Sequence, residues 1–304
     1  MKKIFCLVLL FGVFIIACRG IGKSFKSYEF SDDNIIYKIE PSYYWIFADL
    51  KGNGEEYLLS ASVTKPDIQT LLIKDQTGKT ITQINFTDKI RNIKVLIDPR
   101  NQDRWLFTSI NNQESTRIKA FKYIWENQLK REEKDFESIA RMDTLKKWKS
   151  IEWVGTINPI LLEDINQDNR LELLCSCTDC YTVNPRGLVL YDFDSGRILW
   201  RFDFSTQPYS VLCDDFNNDG IKEIICSNFA LKNTTEAKNG IDDYHTWLMV
   251  FDINGKLIYL KKENDGYGNI GLVSDDLNKD EKKEIIAIIS SEGNSYISNT
   301  VQTY

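Results

Sequence analysis

Along most of the chain, apolar runs of strand length alternate with clusters of Asp, Asn and Gly, and the same order of runs and clusters returns several times. The clearest copy places the β-type runs 210–213 and 224–226 on either side of the acidic stretch 215–223. A second recurring piece lies downstream. Residues 188–200 match 247–259, and more faintly 71–81, each being two β-rich runs joined by a short turn that ends in Ser-Gly, Asn-Gly or Thr-Gly. That is the signature of a hairpin. The repeating unit therefore reads strand, acidic loop, strand, strand, tight turn, strand.

The first Asp of each unit falls at 49, 98, 164, 215 and 276. Four antiparallel strands in a period of roughly 50 to 60 residues cannot bury both faces of their sheet unless neighbouring units stack around an axis. The pattern predicts an all-β fold, a β-propeller of four-stranded antiparallel blades. Five blades follow if the N-terminal hairpin, residues 28–38, joins the incomplete last unit and closes the ring; a truncated six- or seven-bladed ring is the alternative. Residues 129–150 are dense in Lys, Arg, Glu and Asp, with Phe136, Ile139, Met142 and Leu145 at three-residue steps. They read as a charged, solvated insertion or an amphipathic helix on the rim.

Composition narrows the partners. With 304 residues, 42% of them hydrophobic, the chain can bury a sizeable core, and its net charge of −6 supplies no basic surface for nucleic acid. The N-terminus is a targeting segment: Lys2 and Lys3 precede the apolar run 4–17, which is too short for a comfortable membrane span. It ends Ile15-Ile16-Ala17-Cys18, which resembles a bacterial lipobox. The expected organisation is a lipoprotein signal peptide over 1–17, a lipidated Cys18 with a tether over 18–27, and the propeller over 28–304. An ordinary cleaved signal peptide is the plainer reading. The lipid would hold the protein at a membrane surface, and Arg19 after the Cys favours a bacterial outer-membrane or cell-surface address.

The acidic loops carry the candidate chemistry. Asp215, Asn217, Asp219 and Glu223 stand at the first, third, fifth and ninth positions of their loop, an all-oxygen spacing suited to a hard cation such as Ca²⁺. Asp164, Asn166, Asp168 and Glu172 repeat the set, as do Asp276, Asn278, Asp280 and Glu284. The copy at Asp49 has Lys51 third and Tyr57 ninth, and the copy at Asp98 is more worn, so weak binding or an empty turn is expected at the first of these. These loops resemble the FG-GAP or VCBS-type repeats of integrin α-subunit propellers and bacterial surface proteins. The resemblance implies a Ca²⁺ ion per intact loop, held also by the seventh-position carbonyl, which is that of Arg170, Ile221 or Lys282. Asn169 and Glu281 replace the turn Gly without removing a ligand.

Other chemistry is sparse. Cys175, Cys177, Cys180, Cys213 and Cys226 leave open a Cys213–Cys226 or Cys177–Cys180 bridge, a soft-metal site on the first three, or simple burial. His245 is the sole histidine, expected at the surface, and no phosphate-binding glycine loop occurs. The reading is a calcium-stabilised, membrane-anchored propeller that binds a protein or glycan without catalysis, through the insertions at 178–186 and 228–244. A carbohydrate-active lyase or hydrolase on the same scaffold is the alternative.

Overall fold

The computed structural model describes residues 28–298 apart from 33–34, 40–43, 66–67, 113, 126–129, 141–154, 179–185, 235, 281–282 and 292–293. Among these residues all regular structure is β, and every strand pairing is antiparallel. A hairpin of β1 (Tyr28–Asp32) and β2 (Ile35–Ile39) stands first. Sheet I follows with β3 (Tyr44–Ala48), β4 (Tyr57–Lys65), β5 (Ile68–Lys74) and β6 (Thr80–Phe86). Sheet II has β7 (Lys89–Ile97), β8 (Arg104–Asn111), β9 (Ser115–Ile124) and β10 (Lys130–Asp135), with the short β11 (Ile139–Ala140) also on β9.

Sheet III is β12 (Thr156–Glu163), β13 (Glu172–Thr178), β14 (Gly187–Asp192) and β15 (Ile198–Asp203). Sheet IV is β16 (Gln207–Asp214), β17 (Glu223–Ala230), β18 (His245–Phe251) and β19 (Leu257–Asp265). Sheet V has β20 (Gly268–Asp275), β21 (Glu284–Ser291) and β22 (Asn294–Ser298), and is hydrogen-bonded to sheet IV where Phe229 and Ala230 pair with Asn269 and Gly268, so that IV and V run together as seven strands. In each sheet the acidic stretch joins the first strand to the second, as the repeat predicts. Antiparallel geometry then puts the acidic loops and the tight third-to-fourth turns at one end of the sheets. The second-to-third connections and the links between sheets lie at the other.

Each sheet packs on the next in chain order. In β13, Leu173, Cys175 and Cys177 point into one core with Phe107 and Ile118 of sheet II. Leu174, on the other face, packs with Ile224, Cys226 and Met249 of sheet IV. A strand buried on both faces reads as an unbroken apolar run rather than an alternation, which is why Leu173, Leu174 and Cys175 follow one another. Leu59, Leu71 and Ile73 join sheet I to Ile93 and Leu106 of sheet II, and Ile225 and Val250 join sheet IV to Leu272, Ile285 and Ala287 of sheet V. This succession of sheets packed face to face is consistent with a propeller-like all-β fold.

Small contacts at the acidic-loop end set the spacing between neighbours. Lys222, eighth in the loop of sheet IV, pairs with Glu163 at the end of β12, and Lys283, eighth in the loop of sheet V, pairs with Asp214 at the end of β16. Gly196, in the tight turn of sheet III, has φ +70 and lies so close to sheet II that an added Cβ would sit 2.2 Å from the Asp135 carbonyl oxygen. Gly78 has a similar φ of +80 but open space around it. Gly196→Ala is therefore expected to cost more than the roughly 1–2 kcal/mol of left-handed strain that Gly78→Ala costs. Urea unfolding of the two variants checks this; equal losses would mean that the turn does not press on sheet II.

Two expectations are corrected. Residues 130–135, read as part of a helix or a solvated insertion, form β10, which pairs with β9 from Lys130 opposite Ile124 to Asp135 opposite Lys119. Phe136 and Ile139 tuck under Trp105, Tyr191 and Phe193 in the core between sheets II and III. Met142 and Leu145 lie outside the described residues. The N-terminal hairpin does not complete the last sheet: β1 and β2 pair only with each other among the described strands.

Candidate metal centre

The loop of sheet III brings its acids together. One carboxylate oxygen from each of Asp164, Asp168 and Glu172 lies within 4.8 Å of the others. The chain folds this way because the loop's own backbone is wrapped around the acids: Asp164 accepts the N–H groups of Asp168 (3.0 Å) and Asn169 (2.9 Å), and Asn166 Oδ1 accepts Asp168 N–H at 3.0 Å. Glu172 opens β13, is 1% exposed, and accepts the Ile165 N–H at 2.8 Å. Burial pushes its carboxyl up, the bond from Ile165 opposes this, and the neighbouring Asp168 and Asp164 charges push it further. Asn169 takes the left-handed conformation, φ 67, so an Asn does here what Gly220 does in sheet IV, and the turn is kept.

Sheet IV repeats the arrangement. Asp215 accepts Asp219 N–H (3.1 Å) and Gly220 N–H (2.9 Å), while Asn217 Nδ2 donates to both Asp219 (3.1 Å) and the nearly buried Glu223 (2.9 Å). Burial again raises the Glu223 carboxyl, opposed by the Phe216 N–H and aided by Asp219 and Asp215. In sheet V, Asp280 N–H reaches Asp276 and Asn278, and Asn278 Nδ2 donates to Glu284 at 2.8 Å. Lys282 lies outside the described residues. Arg170 and Ile221 stand at the seventh positions; the Arg170 guanidinium pairs with Asp192, and the Ile221 N–H donates to Asp219.

Three cationic residues of these loops are engaged by acids outside the candidate ligand sets. Arg170, Lys222 and Lys283 pair with Asp192, Glu163 and Asp214 instead. Among the described residues, Asp164, Asp168, Glu172, Asp215, Asp219 and Glu223 have no ion pair. The worn loops differ in the same place. In sheet II, Arg100 at the third position grips the buried Asp98 with two nitrogens, Nε at 3.2 Å and Nη2 at 2.9 Å. In sheet I, Lys51 pairs with Glu55 at 3.2 Å and lies over the Tyr57 and Trp125 rings. Where a loop carries a side-chain cation at its third position, the ninth-position acid has become Tyr57 or Leu106. Where the third residue is Asn, the acids remain. All the donors in the remaining sets are oxygens, so they fit a hard cation such as Ca²⁺.

The opposite end of the molecule holds groups that the sequence did not mark. Arg186 and Asp243, both fully buried, pair at 3.3 Å, and Arg186 also donates to the Ser205 carbonyl at 2.8 Å. Burial pushes the Asp243 carboxyl up, against the opposing pull of Arg186. His245, half-buried rather than exposed, holds Asp242 at Nδ1 (2.8 Å) and Asp265 at Nε2 (3.3 Å). No spacing in the sequence announces either cluster.

Of the readings left open for the cysteines, simple burial is the one that fits the described residues. Cys175, Cys177, Cys213 and Cys226 are free thiols. Cys213 stands opposite Ile224 and Cys226 opposite Val211, so the expected cross-strand bridge misses by two residues. Burial pushes the Cys177 thiol up to about 12, which disfavours the thiolate that a soft metal needs. Cys180 lies outside the described residues.

No family model matches any part of the chain. No curated protein matches it either. Solved structures that resemble it include a chimera of ACO and RPE65 (10% identity, TM-score 0.40), which aligns with 81% of this chain and 56% of that one. The Synechocystis apocarotenoid oxygenase (10% identity, TM-score 0.38) aligns over 78% of this chain and 53% of its own. The V. cholerae biofilm matrix protein Bap1 (14% identity, TM-score 0.41) aligns over 84% and 39%. The chain thus spans less than two thirds of each. A likeness of this degree carries nothing about activity or ligand. The resemblance to FG-GAP or VCBS-type repeats is not upheld, since no family model matches. The loops stand on their own chemistry.

Proposed function

We propose that this chain is a calcium-stabilised, non-catalytic binding protein, a propeller-like ring of five sheets held at a bacterial outer membrane or cell surface by a lipid on Cys18. The observation that carries the metal is the approach of Asp164, Asp168 and Glu172 oxygens to within 4.8 Å with no ion pair on any of them among the described residues. Three such charges crowded together, one of them on the buried Glu172, repel one another, and a divalent cation turns that repulsion into cohesion. Asp164, Asn166, Asp168 and Glu172 would hold one ion, Asp215, Asn217, Asp219 and Glu223 a second, and Asp276, Asn278, Asp280 and Glu284 a third. Each would lock the joint between the first two strands of its sheet.

Binding is favoured over catalysis because the carboxylates that the sequence groups together are taken up in the acidic loops, far from His245, the sole histidine. The protein or glycan partner is placed on the second-to-third-strand connections, opposite the metal loops. Asp219→Ala tests the structural role of the metal: the variant should melt lower than the parent in Ca²⁺, and Ca²⁺ should raise its melting temperature over EGTA by less than it raises the parent's. Identical melting of the two proteins in Ca²⁺ would remove the metal from the loop.

A further inference from the structure

At the end of sheet IV away from the metal loops, three tyrosines are partly exposed: Tyr209 (39%), Tyr244 (40%) and Tyr267 (44%). They are held in place from below. Phe229 lies under two of them, with ring centroids 6.3 Å from Tyr209 and 5.1 Å from Tyr267. The backbone ties the third to the same surface, because the Gly266 N–H donates to the Tyr244 carbonyl at 2.8 Å. Between these turns is an open cavity of about 400 Å³ lined by Asp242, Tyr244, His245, Asp265 and Gly266. His245 stands between the two acids, with Nδ1 2.8 Å from Asp242 and Nε2 3.3 Å from Asp265, and Lys262 pairs with Asp265 at 3.1 Å.

We infer that this surface is a carbohydrate-binding site, with Tyr244 and Tyr267 stacking on sugar rings and Asp242 and Asp265 accepting sugar hydroxyls. The inference rests on the reading of the chain as a binding protein and names the ligand class. The chemistry selects it in two steps. Exposed, pre-positioned aromatic faces suit a flat apolar surface such as the C–H face of a pyranose, and a carboxylate already accepting one bond keeps lone pairs for further donors. A cationic ligand would use the same tyrosines, but the Lys262 ammonium already stands 3.1 Å from Asp265 and repels such a ligand. An acidic ligand meets two carboxylates. A neutral polyol is what remains.

Trp247 reports on the site, since its ring lies edge-on to His245 at 5.7 Å and its indole N–H donates to the Asp242 carbonyl. The test follows the Trp247 indole N–H resonance, assigned with Trp247→Phe, during titration with cellohexaose, maltohexaose and chitohexaose, and separately with choline. At least one hexasaccharide should shift it saturably, and Tyr244→Ala and Tyr267→Ala should each weaken that binding about tenfold without moving the melting temperature. No shift with any of the three sugars at about 20 mM, saturation by choline alone, or tyrosine variants that bind like the parent would each overturn the inference. Parallel melts in Ca²⁺ and EGTA keep the two ideas apart. A calcium-raised melting temperature without sugar binding sinks this site and leaves the metal reading intact, and the reverse pattern does the opposite.

Discussion

Asp243→Ala should be among the most damaging single substitutions in the chain, with a loss of about 3–5 kcal/mol of stability. The carboxylate is fully buried, accepts the N–H groups of Leu231 and Asn233 at 3.0 Å each, and faces the equally buried Arg186 guanidinium. Removing it strands a positive charge in the protein interior, where one ion without its partner costs several kcal/mol. It also frees the connection between β17 and β18, whose course follows from those two backbone bonds. Replacing both partners, as Arg186→Met with Asp243→Leu, removes the stranded charge and should recover part of the loss. Urea unfolding at constant slope measures both. A loss below about 1 kcal/mol for Asp243→Ala, the level of a surface pair, would show that the interior here is wet.

The second large effect concerns the third loop position. Asn217→Lys should convert the loop of sheet IV from a metal site to a self-sufficient one, because Asn217 Nδ2 already touches Asp219 and Glu223. An ammonium group there neutralises the acids from inside, as Arg100 does for Asp98 in sheet II. The variant is expected to bind one Ca²⁺ fewer than the parent and to melt higher than the parent in EGTA. In Ca²⁺ it should forgo the linkage stabilisation of that one site, about 2.7 kcal/mol at a hundredfold excess over the dissociation constant. Isothermal titration with paired melts checks it. A variant that still binds the full complement of ions, or that melts lower than the parent in EGTA, would show that these acids do not need a cation.

The repeating unit was legible in the sequence because its signals are local. Each acidic loop is read from residues within nine positions, and each hairpin from two runs and a Gly-ended turn, so all five loops and the three hairpins occur where the pattern puts them. What was not legible depends on partners distant in sequence. Arg186 and Asp243 meet only because sheets III and IV stack. Residues 130–135 carry no apolar alternation, since β10 is an outer strand whose place comes from its pairing with β9 rather than from burial. The cysteines mislead for a similar reason: Cys213 and Cys226 flank one loop, but the register offsets them by two residues. The loop pattern also suggested a family that the comparisons do not support. Oxygen ligands at fixed spacing are dictated by the cation, and chains without common descent can share them.

The account stands or falls on the metal. The most direct measurement is calorimetric unfolding of the purified protein in EGTA and then at millimolar Ca²⁺, with calcium content determined on the same sample. The account predicts about three bound ions, one for each loop that keeps its acids, and a clear rise in melting temperature. Unfolding at the same temperature in both conditions, with no calcium retained, would contradict it.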